Sequence, residues 1–204
     1  MKIIEATPRP PRGKIPDSLH KNYNQSVKAG VGYGFRPSFQ DKLSNLGWNE
    51  LGDGLYSTVY TNPKKSYVLK VNKISDLGFE SFAQFVKKHP NKHFPKIGDV
   101  KKVRYSKENY YIYCIEKLYP IKPYSTARSI ANAIDIAFYR WDGNSVKDSF
   151  KGNGRYIKFF QQHPSLLSAI KLLVNKFGEN NDIHPDNIMQ RKDGTIVIID
   201  PYAG

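Results

Sequence analysis

The chain has 204 residues, of which 39% are hydrophobic, 25% charged and 13% aromatic, a composition that excludes fibrous, collagen-like and wholly disordered proteins and fits one compact domain, or one domain with a tail. Lys and Arg number 32 against 18 acidic residues, a net charge of +14, so the surface attracts phosphate (in nucleic acid, nucleotide or anionic lipid) or an acidic protein. The single cysteine, Cys114, excludes an intrachain disulfide and a Cys-based zinc site, and its alternating apolar neighbours mark it as a core thiol. No run approaches the roughly 18 apolar residues of a membrane helix. Pro and Arg follow Met1-Lys2-Ile3-Ile4-Glu5 where a signal peptide would have its apolar stretch. The expectation is a soluble protein, cytoplasmic or exported by a specialised secretion machine.

Residues 1–35 carry Pro8, Pro10, Pro11 and Pro16 among several Lys, Arg and Gly without a sustained period, which reads as an extended arm: a nucleic-acid arm, a secretion leader or a strap over the core. A folded domain over 36–204 follows. Leu46 to Leu51 leads into a glycine turn, and Ser57 to Thr61 and Tyr67 to Val71 are short β-rich runs around Asn62-Pro63-Lys64-Lys65. Phe79, Phe82, Ala83 and Val86 stand at helical spacing before Pro90. Val100 to Arg104 and Tyr110 to Leu118 read as two further strands, so about 46–118 forms an antiparallel sheet with one main helix. From about 119 to 204 the chain is mainly helical, with helical period over Ser125 to Arg140 and Pro164 to Phe177. It closes on a hairpin, Asn187 to Gln190 and Thr195 to Ile199 around Lys192-Asp193-Gly194. Gly152-Asn153-Gly154 reads as an ordinary turn. His89 and His93 read as surface residues, because Pro90 breaks the helix that would align them.

Three groups of residues carry chemistry. Gly52-Asp53-Gly54 lies between two strands, where missing Cβ atoms let backbone N–H groups approach phosphate oxygens. Lys70 stands in Val68-Leu69-Lys70-Val71, and a lysine in a core-facing strand calls for an anion. In the second half, Asn187 begins one hairpin strand and Asp200 follows the other, so the antiparallel pairing brings an amide oxygen and a carboxylate together. These are hard oxygen ligands suited to Mg²⁺, which keeps waters and takes further ligands from substrate phosphates. Asp182, in the preceding loop, is then free to face an incoming hydroxyl.

In this order and spacing, Gly52-x-Gly54-x-Tyr56-x-x-Val59, Lys70, Asp182-x-x-x-x-Asn187 and Asp200 resemble the protein-kinase family from about residue 46 onward. The resemblance implies an α+β, minimal two-lobe fold. It also implies a glycine loop (Gly52, Asp53, Gly54, Tyr56, Ser57 and Val59) over the nucleotide phosphates, Lys70 on the α and β phosphates, and Asp182 on the acceptor hydroxyl. Asn187 and Asp200 would hold magnesium, or manganese in its place. Glu80 becomes the ion-pair partner of Lys70, with Gln84 on the same helix face. Glu116 to Leu118 becomes the hinge that meets adenine, with Cys114 or Ile115 lining the pocket, and His184 takes the place of a lysine that contacts the transferring phosphate.

The departures are specific. Ser57 replaces the third glycine, Asn180-Asn181 replaces His-Arg, Asp200-Pro201-Tyr202 replaces Asp-Phe-Gly, and the sequence ends four residues after Asp200. No activation segment is then expected, and a constitutively active, monomeric minimal kinase is. In this the chain is similar to podophage serine/threonine kinases and to bacterial type III effector kinases of the HopBF type. The latter implies a secreted virulence effector that enters a eukaryotic host and phosphorylates its heat-shock chaperone of the GHKL ATPase class. Asp182-x-His184-Pro185-x-Asn187 is also similar to aminoglycoside and choline phosphotransferases, which makes a small-molecule kinase the enzyme alternative. The non-enzyme alternative is a basic nucleic-acid-binding module. Against it, no such motif is present, and tyrosines such as Tyr111 and Tyr113 alternate as sheet residues do.

Overall fold

The computed structural model describes residues 13–16, 19, 39–54, 57–73, 77–105, 108–141, 145–178 and 181–202. They form an α+β protein in two compact units: a sheet unit drawn from Arg9–Leu77 and Lys96–Lys117, and a helical unit drawn from Gly78–Pro95 and Leu118–Gly204, with Met1–Pro8 outside the described residues. Among the described residues no helix is long and apolar enough to cross a membrane.

The sheet unit opens with helix α1 (Phe39–Asn45). It ends because Gly47 adopts φ +78, letting the Gly47 N–H reach the Ser44 carbonyl and the Trp48 N–H the Leu43 carbonyl. This double closure satisfies carbonyls the helix leaves open, and it sets Trp48 beside Leu43 in the core. Strands β1 (Asn49–Asp53), β2 (Ser57–Thr61), β3 (Tyr67–Lys73), β4 (Ile97–Tyr105) and β5 (Glu108–Glu116) follow. They build a five-stranded antiparallel sheet in the order β1-β2-β3-β5-β4. Alternation along β3 sends Tyr67, Leu69 and Val71 to one face, where they join Ile112, Cys114, Leu43 and Trp48. Val68, Lys70 and Asn72 take the other. Two residues of the N-terminal arm, Ile15 and Leu19, complete the first face with 0% and 6% exposure. These two residues lie against the core, as a strap would; the rest of 1–35, apart from residues 13–16 and 19, lies outside the described residues.

The helical unit contains α2 (Leu77–Lys88) from Gly78 onward, α3 (Tyr124–Arg140), α4 (Val146–Ser149), α5 (Gly154–Gln162) and α6 (Pro164–Phe177). Ala127, Ala131, Ile134 and Phe138 form the buried stripe of α3, and Leu166, Ile170 and Leu173 that of α6. Pro164 starts α6 where a missing N–H costs nothing. The three-stranded sheet β6-β7-β8 (Tyr119–Pro120, Ile188–Gln190, Ile196–Ile198) completes the unit.

Four expectations change. The helix after Lys70 exists, but α2 is counted with the helical unit, where Phe85 meets Phe94 and Phe177 at ring distances of 6.0 and 5.3 Å. Gly154, read as part of a turn, opens α5, because the Asn153 side chain accepts the Tyr156 N–H and caps the helix. His93 is buried at 3% exposure rather than on the surface. One ring nitrogen bonds the Ile196 carbonyl at 2.7 Å and the other the Ser165 hydroxyl at 2.9 Å. Burial holds its pKa below the usual histidine value. Cys114 is a core thiol, but it lies on the face closed by Ile15 and Leu43, which removes it as a lining residue for the Lys70 face. Burial pushes its pKa up to about 12.

Candidate active site

In the sheet unit the site residues fall into one row. Cross-strand partners run Gly52, Val59, Lys70 and Tyr113 over β1, β2, β3 and β5, and partners in register share a face. Lys70 therefore stands on an interior strand, 8% exposed, rather than on a solvent-facing edge. Gly52 lies within β1 at a register shift, and a Cβ there would meet nothing within 4 Å. The Gly54 N–H donates to the Ser57 carbonyl at 2.8 Å. The Thr58 hydroxyl donates to Asp53 at 2.7 Å, which ties the two arms of the turn together. Tyr56 lies outside the described residues.

At the far end of β5, the Glu116 carboxylate accepts the Lys96 N–H at 2.8 Å, and its own N–H donates to the Lys96 carbonyl at 3.0 Å. The Lys96 ammonium stands 3.9 Å from the same carboxylate. The Lys117 N–H goes to the Ser66 carbonyl at 3.3 Å. The main-chain donors of Glu116 and Lys117 are thus used within the unit. Leu118 follows, where the chain re-enters the helical unit.

In the helical unit the site is a knot of main-chain bonds. The Asp182 N–H donates to the Pro201 carbonyl at 2.7 Å, and the Ile199 N–H to the Asn187 carbonyl at 3.0 Å. These two bonds bracket Asp200 between the loop of Asp182 and the turn of Asn187. The Asn187 side chain then fixes its own orientation by donating from Nδ2 to the Asp182 carbonyl at 2.8 Å. A 3-10 turn (Pro185–Asn187) carries this geometry, closed by the Asn187 N–H on the His184 carbonyl. The Asp182 carboxylate is 52% exposed. His184 lies between two carboxylates, 3.9 Å from Asp182 and 3.7 Å from Asp186.

The structure therefore brings Asp182, Asn187 and Asp200 together, with His184 beside them, and separately aligns Gly52, Val59 and Lys70. Glu80 sits in the first turn of α2 and accepts from Gln84 at 3.2 Å, so the two residues weighed as partners of Lys70 bond each other. Among the described residues no three of His, Cys, Asp and Glu gather as a metal set. An Asn amide oxygen with one carboxylate matches the smaller protein share of a magnesium ion that is completed by phosphate and water.

Sequence reasoning missed what holds this loop. Ile198 bonds the His93 carbonyl at 2.9 Å, and the Arg191 guanidinium bonds the carbonyls of Lys92 and Phe94. The segment after α2 is thereby fastened to β8, just before Asp200. The Pro201 and Tyr202 departures also acquire a use. Pro201 is buried and supplies the carbonyl that holds Asp182, and the Tyr202 ring packs 4.6 Å from Phe177 and 6.3 Å from Phe138. No protein-family model matches the chain, and no curated protein matches it.

Proposed function

We propose that the chain is an ATP- and magnesium-dependent protein kinase that transfers the γ-phosphoryl group to a serine or threonine hydroxyl. The observation that supports this most is the pair of main-chain bonds from Asp182 to Pro201 and from Asn187 to Ile199. With the Asn187 side-chain bond, they draw the main chains of Asp182, Asn187 and Asp200 together, beside the exposed Asp182 carboxylate. In this reading Asn187 and Asp200 hold the magnesium ion, which neutralises phosphate charge when bound. Lys70 grips the α and β phosphates, and the Gly52 to Val59 turn covers them. Asp182 accepts the hydroxyl proton as the acceptor oxygen bonds to the γ-phosphorus and the bond to the ADP oxygen breaks. His184 supplies a donor beside the transferring group, and the Glu116 to Leu118 segment meets the adenine through Leu118, since the Glu116 and Lys117 N–H groups are already bonded. Catalysis then rests on positioning and charge neutralisation.

The net charge of +14 suits an acidic protein substrate. A eukaryotic heat-shock chaperone of the GHKL ATPase class, reached by secretion into a host, is the substrate proposed from the resemblance. The test is transfer of γ-labelled phosphate from ATP·Mg²⁺ to protein in a eukaryotic cell extract, comparing wild type with Asp182→Ala and Asp200→Ala. A discrete labelled band that vanishes in both variants supports the reading. Its absence with wild type sinks the protein-kinase assignment and moves small-molecule acceptors to the front.

A further inference from the structure

Residues 13–16 and 19 cross the rear face of the sheet without joining its ladder: none of them is paired as a strand, yet they seal it. Ile15 is fully buried and Leu19 nearly so, both in one cluster with Tyr67, Leu69 and Cys114. The polar fastenings are few. The Ile15 N–H donates to Asp99 at 3.4 Å, Lys101 donates to the Ile15 carbonyl at 3.4 Å, and the Tyr67 hydroxyl donates to the Lys14 carbonyl at 3.1 Å. Gly13 is required by close approach, since a Cβ there would collide with the Cys114 sulfur and come within 2.7 Å of the Tyr67 ring.

These contacts differ in kind from those that build the sheet. Each strand of the sheet is held by a ladder of four or more paired residues, whereas the arm is held by two apolar plugs and three isolated bonds to residues at least 53 positions away. Lifting the arm breaks no strand pairing. It does uncover the rear side of β3, whose opposite side carries Lys70. We infer that residues 13–16 with Leu19 form a detachable strap, which opens as a unit while the five strands stay paired, and whose docking seals Cys114 and backs the strand that carries Lys70. The apolar plugs hold the docked state, and loss of one of them releases the rest. Cys114 reports the opening directly, because a sealed core thiol is inert to a disulfide reagent and an uncovered one reacts.

The test measures labelling of Cys114 by Ellman's reagent in the full chain at rising urea concentration, beside global unfolding followed by circular dichroism. A local opening exposes little surface, so the denaturant slope of labelling should be no more than about a third of the global slope at low urea. Ile15→Asp should raise the native labelling rate at least about tenfold. Lys101→Ala, which removes the bond to the Ile15 carbonyl and the ion pair with Asp99 but no apolar core side chain, should raise it several-fold with the global midpoint nearly unchanged. Labelling that follows the global slope in the wild type overturns the proposal. So does a Lys101→Ala rate that rises only as far as its unfolding equilibrium does.

Discussion

Lys70 and Asp182 are positioned in opposite ways. Lys70 lies between Val59 and Tyr113 inside a continuous antiparallel ladder, 8% exposed, so the bonds that place it are those that hold the sheet together. The Asp182 carboxylate is 52% exposed, and Asp182 is held through its main chain, with its N–H on Pro201 and its carbonyl under Asn187. In the sheet unit, placement and stability are the same property. In the loop they are separable, because the carboxylate can change while the main chain that aims it stays.

The contrast is tested most strongly at the loop. Asp182→Asn keeps every main-chain bond and nearly the same shape. Under the proposed function, phosphate transfer should fall about 10²- to 10⁴-fold, with urea unfolding moving by less than about 0.5 kcal/mol. A stability loss of core-mutant size would break the distinction. Leu69→Ala is the counterpart in the sheet unit, since Leu69 is fully buried on the rear face of the Lys70 strand. It should cost about 2–5 kcal/mol in the same unfolding measurement, and transfer should fall with it.

A smaller effect is expected on acidification. Burial holds His93 below the ordinary 6.5, beside Lys92, His163 and Arg191. The unfolded chain therefore takes up the proton first. Stability is full above about pH 6.5 and falls as the pH drops toward the folded-state value, by up to about 1.4 kcal/mol per pH unit. His163 shifts in the same direction, so His93→Gln should reduce the slope of unfolding free energy against pH between 7 and 5 without abolishing it. An unchanged slope would remove His93 as its source.

The smallest change is Tyr202→Phe. The Tyr202 hydroxyl is buried with no hydrogen-bond partner among the described residues, and burial holds its pKa well above the ordinary phenol value. Removing it should leave the unfolding free energy unchanged or raise it by no more than about 1 kcal/mol. A clear loss would mean that the hydroxyl has a partner when the protein is in solution.

The elements with strong local signals were legible in the sequence. β2 and α6 fall on the residues that the β-rich run and the helical period mark, and the Lys192-Asp193-Gly194 hairpin turns where expected, the Arg191 N–H meeting the Thr195 carbonyl at 3.0 Å. The hairpin argument also anticipated that Asn187 would meet the end of the second strand, and the Ile199 N–H reaches its carbonyl, although Asn187 ends a 3-10 turn and the strand begins one residue later, at Ile188. Features that depend on distant partners were not legible. Helical period identifies α2, but not that Phe85 would pack on Phe94 and Phe177. Pro90 rightly ends a helix beside His93, yet helical alignment says nothing about a ring that finds Ile196 and Ser165, 103 and 72 positions away. The strap depends on one Ile and one Leu among prolines and basic residues, too few to make a period. α5 begins on a glycine, and only the Asn153 cap distinguishes that start from a turn.

Neither unit is one uninterrupted stretch of chain. The polypeptide leaves the sheet unit at Leu77, contributes Gly78–Pro95 to the helical unit, returns for Lys96–Lys117 and then departs again. No single cut separates the two units, so expressing either half alone leaves β3 without β5, or α2 without Phe177. During synthesis the order is equally constrained. α2 emerges with Phe79, Phe82 and Phe85 about 90 residues before α6 is complete, a gap of several seconds at ribosomal rates of about 5–20 residues per second. Over that interval Phe85 lacks the Phe177 ring against which it packs in the folded protein.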